Sequence, residues 1–129
     1  MKKEINVAAA IIKDHSGKIL CTLRKNSNPL GNFWEFPGGK IEKDETSFEA
    51  IEREIYEELN LKVVAKNTYM KNTHEYKEVI VNLILIECDV LEGTIILNDH
   101  SAFLWLKTEN LSSLVWAPAD IPAVKKLMS

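Results

Sequence analysis

The pattern of apolar and polar residues along this chain predicts a mixture of strands and helices. The β-branched, apolar runs Val7–Ile12 and Val79–Cys88 predict buried strands. The second run is apolar at most positions, so we expect both of its faces to be covered. Further strands are predicted at Lys18–Arg24, Phe33–Phe36, Lys62–Tyr69 and Ala102–Leu106, with a loop at Asn26–Asn32.

Two segments have the apolar spacing of helices instead. Residues 46–59 place their apolar side chains in one arc, and Thr46 and Glu49 have the spacing of a capping box that would begin this helix. Residues 121–128 have similar spacing and predict a second helix at the end of the chain. Strands on either side of a central helix, followed by a terminal helix, predict an α+β fold with a mixed sheet between helices.

The first helix has three carboxylates on a face separate from its apolar arc: Glu54, Glu57 and Glu58. Two like charges about 4 Å apart repel by on the order of 4 kcal/mol at an effective dielectric constant of about 20. A divalent cation such as Mg²⁺ turns this repulsion into attraction, because it prefers carboxylate oxygens and substrate phosphates. The alternative is a solvated acidic face, which is the commoner state of an acidic helix.

The residues around this acidic face follow a longer pattern. Its defining positions are Gly39, Glu45, Arg53, Glu54, Ile55, Glu57, Glu58 and Leu61. Their order and spacing resemble the Nudix box, G-x₅-E-x₇-R-E-U-x-E-E-x-G-U, where U is aliphatic. Asn60 departs from the box because the family has glycine there, but Asn is the next-best residue for the left-handed conformation expected after a helix.

This resemblance implies a Nudix fold, an α/β/α sandwich with a mixed, curved β-sheet, in one domain over residues 1–129 with its box at 39–61. It also implies that the three helix glutamates bind metal together with the carbonyl of Gly38. Two successive glycines fit this role because backbone without a Cβ can approach an ion closely. Glu45 and Arg53 are implied to be a supporting pair, and an ordinary surface ion pair is the alternative for Arg53.

A general base is expected among the acidic residues near the metal. Glu54 is the first candidate and Asp99 is the second. Enzymes of the MutT type have an acidic residue near the place of Asp99, on a loop that can reach the metals, so Asp99 is also a candidate ligand. Asn98–Ser101 is equally typical of a simple turn. The catalytic candidates are therefore Glu45, Arg53, Glu54, Glu57 and Asp99.

Substrate contacts are predicted at Arg24, Glu35, Tyr76 and Asp120. Only two of the 16 basic residues are arginines, one in the box and one at position 24, where MutT-type enzymes have an arginine near the substrate. A solvated strand end is the alternative for Arg24. Glu35 lies in the segment 34–42, which also resembles MutT-type enzymes. Tyr76 or Trp34 could stack on a base, although buried aromatic residues usually belong to the core.

Asp120 lies in the string Ala117–Pro122, at the place where MutT-type enzymes have the residue that reads the base. The string itself resembles that of bacterial CTP pyrophosphohydrolases. An ionised Asp only accepts hydrogen bonds, so we expect it to favour the amine of cytosine or the N–H groups of guanine and 8-oxoguanine. Thymine and uracil should fit poorly. The alternative is that Asp120 only caps the last helix.

Charge and composition restrict the class of function. The net charge of −3 argues against a binder of nucleic-acid polymers, but a metal can still attract a nucleotide to an acidic pocket. Cys21 and Cys88 lie far apart and indicate neither a zinc site nor a disulfide framework. No apolar stretch is long enough to span a membrane, so we predict no membrane partner and a cytoplasmic location.

The expected activity is Mg²⁺-dependent hydrolysis of a (deoxy)nucleoside triphosphate to the monophosphate and pyrophosphate, with Mn²⁺ as a substitute metal. An oxidised or modified nucleotide such as 8-oxo-dGTP is the first predicted substrate, and a CTP or dCTP type is the alternative. Another nucleoside diphosphate derivative and a non-catalytic nucleotide-binding module are the remaining alternatives. The predicted state is a monomer or a homodimer.

Overall fold

The computed structural model describes residues 2–25 and 31–129, so most of the predicted loop Asn26–Asn32 lies outside the described residues. The elements are β1 Lys3–Ile12, β2 Ile19–Arg24, β3 Trp34–Glu35, β4 Gly38–Lys40, α1 Ser47–Leu59, β5 Lys62–Glu75, β6 Val79–Glu92, β7 His100–Leu106 and α2 Ile121–Met128. Two 3₁₀ helices, Thr108–Ser113 and Pro118–Asp120, lie between β7 and α2. Every strand and both α-helices predicted above are present, which confirms the α+β class.

The strands form two sheets. The larger sheet has the order β4-β1-β6-β5, in which β1 and β6 are parallel and the other neighbours are antiparallel. The smaller sheet is antiparallel, with the order β3-β2-β7. The predicted mixed sheet is therefore confirmed, whereas the second sheet was not predicted.

Both faces of the larger sheet are covered by a helix. Along β1, Ala8, Ala10 and Ile12 enter a core cluster with α1, whereas Ala9 and Ile11 enter a second cluster with α2. The side chains of β6 alternate between the same two clusters, which confirms that both faces of this strand are covered. The acidic helix is thereby fixed to one face of the sheet through its apolar arc.

Two parts of the sheet were not predicted. β4 has the composition of a turn, and it is a strand because it pairs with Val7–Ala9 of β1. β5 continues to Glu75, although its second half is mostly polar, because pairing with β6 supplies its backbone hydrogen bonds. Register shifts between β5 and β6 at Ala65–Asn67 and Thr68–Met70 mark irregularities in this pairing.

Cys21 on β2 and Cys88 on β6 are both buried and free. Burial raises the pKa of each thiol to about 12, so both thiols stay protonated and unreactive. Within residues 2–25 and 31–129, no helix is long and apolar enough to cross a membrane.

Candidate active site

Helix α1 begins and ends as its sequence predicts. The Thr46 hydroxyl accepts a hydrogen bond from the Glu49 N–H at 3.1 Å, and the Glu49 carboxylate accepts one from the Thr46 N–H at 2.9 Å. Asn60 has the predicted left-handed conformation, with φ of 60°, and its N–H donates to the Tyr56 carbonyl. The departure from the box at Asn60 therefore leaves the end of the helix intact.

Arg53 lies at the centre of a network of carboxylates. Its guanidinium donates to both oxygens of Glu45, with Nε–Oε2 and Nη2–Oε1 distances of 2.7 and 2.9 Å. Nη1 donates to Glu54 at 2.8 Å and to Glu57 at 3.0 Å, and Nη2 also donates to the Lys40 carbonyl. These hydrogen bonds lower the pKa of Glu45 to about 2. Arg53 thus organises three carboxylates, which distinguishes it from an ordinary surface ion pair.

Glu58 has a different environment on the same helix. Its Oε2 atom is buried and has no hydrogen-bond partner among the described residues, and it lies 3.8 Å from His100 Nδ1, which also has none. Burial, together with the charges of Glu54, Glu35 and Asp99, raises the pKa of Glu58 to about 8. A carboxylate placed in this way is stabilised by any cation that reaches it.

The loop before β7 is attached to the C-terminal end of α1. Asn98 donates from its backbone N–H to the Glu58 carbonyl at 3.1 Å and from its side chain to the Glu57 carbonyl at 2.7 Å. Carbonyls at a helix end have no partner within the helix, so Asn98 satisfies two of them. Asp99 follows directly, is exposed, and lies near enough for its charge to raise the pKa of Glu58. Asn98 was not predicted, since its place in a turn-like string indicates only a turn.

Gly38 and Gly39 connect β4 to both β1 and the acidic helix. A Cβ on Gly38 would overlap the Ala8 carbonyl of β1, and a Cβ on Gly39 would overlap the Glu54 carboxylate. The absence of a Cβ thus lets Gly38 lie against a neighbouring strand and Gly39 against a carboxylate. The close approach of an ion to this pair stays a prediction.

A cavity of about 750 Å³ borders the same two glycines. Its walls are mainly apolar, with side chains from β1 and β6, and a few polar groups enter it, which is typical of a small-molecule site. Its lining includes all four residues predicted to contact the substrate: Arg24, Glu35, Tyr76 and Asp120. Trp34 does not line this cavity and packs against the core cluster beside α2.

Asp120 is buried, with 6% of its surface exposed. Its side chain makes no capping hydrogen bond at the start of α2, so the capping alternative is wrong. Burial and the charge of Glu35 raise the pKa of Asp120 well above its usual value, against the opposing effects of the Phe36 N–H and Arg24. Burial therefore favours the neutral carboxyl, which donates as well as accepts hydrogen bonds, over the ionised form from which the base preference was predicted.

Glu35 links the cavity to the acidic helix. Its Oε1 accepts from Arg24 Nη1 at 3.0 Å, and its Oε2 lies 2.9 Å from His100 Nε2. The His100 side chain is only 3% exposed, and its other ring nitrogen faces Glu58. A line of ionisable groups therefore runs from the cavity to α1. His100 was not predicted, because a histidine in a turn-like string carries no signal of burial.

Within residues 2–25 and 31–129, no three acidic, histidine or cysteine side chains form a ready-made metal site. Glu54 and Glu57 contact Arg53, whereas Glu58 faces His100. The donor set nevertheless fits a hard divalent cation, because it consists of carboxylate oxygens, and one of them is buried without a partner.

Comparisons with known proteins show the family of this chain. Residues 8–126 match the model of the NUDIX domain. The chain is 34% identical over 127 residues to the CTP pyrophosphohydrolase of Escherichia coli (strain K12), covering 98% of this chain and 93% of that protein. It is 27% identical over 128 residues to the 8-oxo-dGTP diphosphatase of Haemophilus influenzae, covering 99% and 94%. The NMR structure of MutT from methicillin-resistant Staphylococcus aureus 252 is 44% identical with a TM-score of 0.79, covering 99% and 98%. The chain therefore belongs to the Nudix hydrolase family.

Proposed function

We propose that this Nudix hydrolase is a divalent-metal-dependent enzyme that cleaves a (deoxy)nucleoside triphosphate to the monophosphate and pyrophosphate. One observation carries the proposal. Gly38 and Gly39 both border the 750 Å³ cavity, and Gly39 also lies against the Glu54 carboxylate of α1. A nucleoside in the cavity would therefore place its phosphates beside the acidic face of the helix.

The metal ligands would come from α1, β4 and the loop before β7: Glu54, Glu57, Glu58, the Gly38 carbonyl and Asp99. Mg²⁺ is the expected ion, with Mn²⁺ as a substitute. When bound, the ion lowers the pKa of a bound water and neutralises charge on the phosphates. Arg53 would orient Glu54 and Glu57 through its Nη1 atom, and Glu45 would hold Arg53 through two hydrogen bonds.

Glu54 is our first choice for the general base. Its side chain is 14% exposed, is held by Arg53 at 2.8 Å, and lies against Gly39 at the border of the cavity. A carboxylate held in this way can accept a proton from water at the phosphate end of a bound nucleotide. Asp99 is the alternative, because Asn98 attaches its loop to the end of the same helix.

Asp120 would read the base as a neutral carboxyl that donates one hydrogen bond and accepts another. This pattern matches the ring nitrogen and amine of cytosine, and equally an N–H beside a C=O in 8-oxoguanine. It also matches the N–H and C=O of thymine or uracil, so the hydrogen-bonding argument against these bases applies only to an ionised Asp120. The cavity, of about 750 Å³, is large enough for a purine. Because the 8-oxo-dGTP diphosphatase of Haemophilus influenzae is 27% identical over 99% of this chain, we propose an oxidised purine nucleotide such as 8-oxo-dGTP as the substrate.

A CTP or dCTP type is the second candidate. It is favoured by the 34% identity to a protein named CTP pyrophosphohydrolase over 98% of this chain. The cytosine edge also fits the neutral Asp120 carboxyl. The two candidates differ in base size, so a direct comparison of rates separates them.

The test is pyrophosphate release from a panel of nucleotides with Mg²⁺, with Mn²⁺ and without metal. We expect metal-dependent formation of equal amounts of monophosphate and pyrophosphate, with the highest kcat/KM on 8-oxo-dGTP. A higher kcat/KM on CTP or dCTP would favour the second candidate instead. Nucleotide binding without any product would indicate a non-catalytic module. Failure to bind either metal or nucleotide would refute the proposal.

Three further predictions concern the whole protein. We expect a monomer or a homodimer, which light scattering after size-exclusion chromatography measures directly. We also expect a cytoplasmic protein. We expect no nucleic-acid polymer as a partner, since the net charge of the chain is −3. Fluorescence microscopy of a tagged chain and a DNA-binding titration at low salt would test these two expectations.

A further inference from the structure

The short turn Pro118–Asp120 brings Asp120 to the cavity without a side-chain cap of its own. Its backbone hydrogen bond runs from the Asp120 N–H to the Ala117 carbonyl at 2.9 Å. Neither this turn nor the start of α2 has a side-chain capping bond. The position of Asp120 therefore depends on contacts from other parts of the fold.

Ala119, the residue directly before Asp120, receives such contacts on both of its peptide groups. Its N–H donates to the Tyr76 hydroxyl oxygen at 3.0 Å. Its carbonyl accepts a hydrogen bond from the Asn72 side-chain amide at 2.9 Å. Ala119 is only 6% exposed, so water cannot easily replace a partner that is removed.

The register of β5 explains why these two side chains reach the turn. Asn72 pairs with Leu83 of β6, a member of the core cluster beside α2, so Asn72 and Tyr76 lie on the face that α2 covers. The His74 ring lies between them in sequence and contacts the Tyr76 ring edge-on, with centroids 4.5 Å apart. Thr73 occupies the opposite face, where its hydroxyl donates to the half-buried Asn82 side chain.

We propose that Asn72 is a specificity-determining positioning residue, whose hydrogen bond to the Ala119 carbonyl holds the Asp120 carboxyl in the orientation that reads the base. The inference rests on the proposed function, since it requires that the cavity bind the nucleobase. Asn72 does not line the cavity, so it acts through Ala119 and not by touching the substrate.

The effect of Asn72 should be confined to base recognition. Hydrogen bonds weaken steeply as their angle departs from linearity, so a small rotation of the Asp120 carboxyl reduces discrimination between bases. In the proposed function the phosphates would lie beside α1 and β4, and Asn72 makes its hydrogen bond to neither of these elements. Losing Asn72 should therefore raise KM for the preferred nucleotide and leave kcat nearly unchanged.

The experiment compares Asn72→Leu and Asn72→Asp with the wild type on the preferred nucleotide and on a nucleotide with a different base. Both variants lack the donor, and melting curves show which of them is folded. We expect the ratio of the two kcat/KM values to fall roughly tenfold, through KM. Thr73→Val removes a side-chain hydrogen bond from the opposite face of the same strand and is the matched control. This control should keep the wild-type ratio.

A double mutant separates positioning from a general loss of structure. In an Asp120→Ala background, Asn72→Leu should cause no further loss of discrimination, because the group that it positions is absent. Additive losses, or a wild-type ratio in the folded single variants, would overturn the inference and leave the proposed function standing. A wild-type protein that hydrolyses no nucleotide would overturn the proposed function and this inference together.

Discussion

Replacing Glu58 with glutamine should stabilise the metal-free protein above neutral pH. Burial, assisted by the charges of Glu54, Glu35 and Asp99, raises the pKa of the Glu58 carboxyl from 4.5 to about 8. Between these two values the folded chain holds more protons at this position than the unfolded chain does. The free energy of unfolding therefore falls as the pH rises. This contribution is fully present below pH 4.5 and is lost as the pH rises through 8.

The magnitude follows from the same linkage. At about 1.36 kcal/mol for each pKa unit, the difference between the folded and unfolded values corresponds to roughly 5 kcal/mol. The side chain retains 18% of its exposure, so we expect water to reduce the loss to on the order of 3 kcal/mol. For a chain of this length, that loss lowers Tm by roughly 10 °C. The glutamine variant has no proton to lose at this position and should lack this part of the decrease.

Thermal unfolding from pH 5 to pH 9 in the presence of EDTA measures the effect. Glu57→Gln changes an exposed carboxylate of the same helix and is the control, which should keep the wild-type dependence on pH. Mg²⁺ at pH 8 should raise Tm more in the wild type than in Glu58→Gln, because ligands that bind only the folded state stabilise it. Parallel pH curves for the wild type and Glu58→Gln would refute the titration of Glu58 in this range.

Two other substitutions test the acidic face. Glu57→Gln should lower kcat at least about 100-fold, because it removes a proposed metal ligand. Tm should stay unchanged or rise, because the Glu57 side chain is 55% exposed, so that its ion pair with Arg53 contributes little, and Glu54 and Glu58 are like charges on the same helix. Glu92 is an exposed carboxylate on β6, and Glu92→Gln is the control that should keep full activity. Wild-type turnover in Glu57→Gln would remove Glu57 from the metal site. Gly39→Ala should displace the Glu54 carboxylate and lower Mg²⁺ affinity at least about tenfold in a calorimetric titration, and unchanged affinity would show that the contact is unimportant.

The features that depend on neighbouring residues in the chain were predictable from the sequence. The capping box at Thr46 and Glu49 and the left-handed Asn60 are set within a turn of helix, and the structure has all of them. The alternation of β6 between two cores follows from its mostly apolar run. Local pattern was sufficient here because the backbone conformation of each residue is decided by residues nearby.

The features that depend on distant residues were not predictable in this way. β4 is a strand only because β1 lies beside it. His100 and Asn72 are polar residues in polar strings, and only the folded sheet places one between two glutamates and the other beside Ala119. The residue type of Asp120 was enough to predict a hydrogen-bonding group for the base. Its protonation depends on its burial, which no local sequence pattern indicates.

The burial of the Glu58 charge without a partner affects both the stability of the metal-free chain and the proposed binding of a metal. Arg53 neutralises Glu45, Glu54 and Glu57, but it makes no hydrogen bond or ion pair with Glu58. A proton and the proposed divalent cation would therefore compete for the Glu58 carboxylate, whose pKa is raised to about 8 by burial and neighbouring charges. When that proton leaves, the metal-free fold contains an uncompensated charge. The free energy of metal binding is therefore largest at the pH values at which the metal-free chain is least stable. A bound cation would thus stabilise the Glu58 carboxylate more effectively than any side chain among the described residues does.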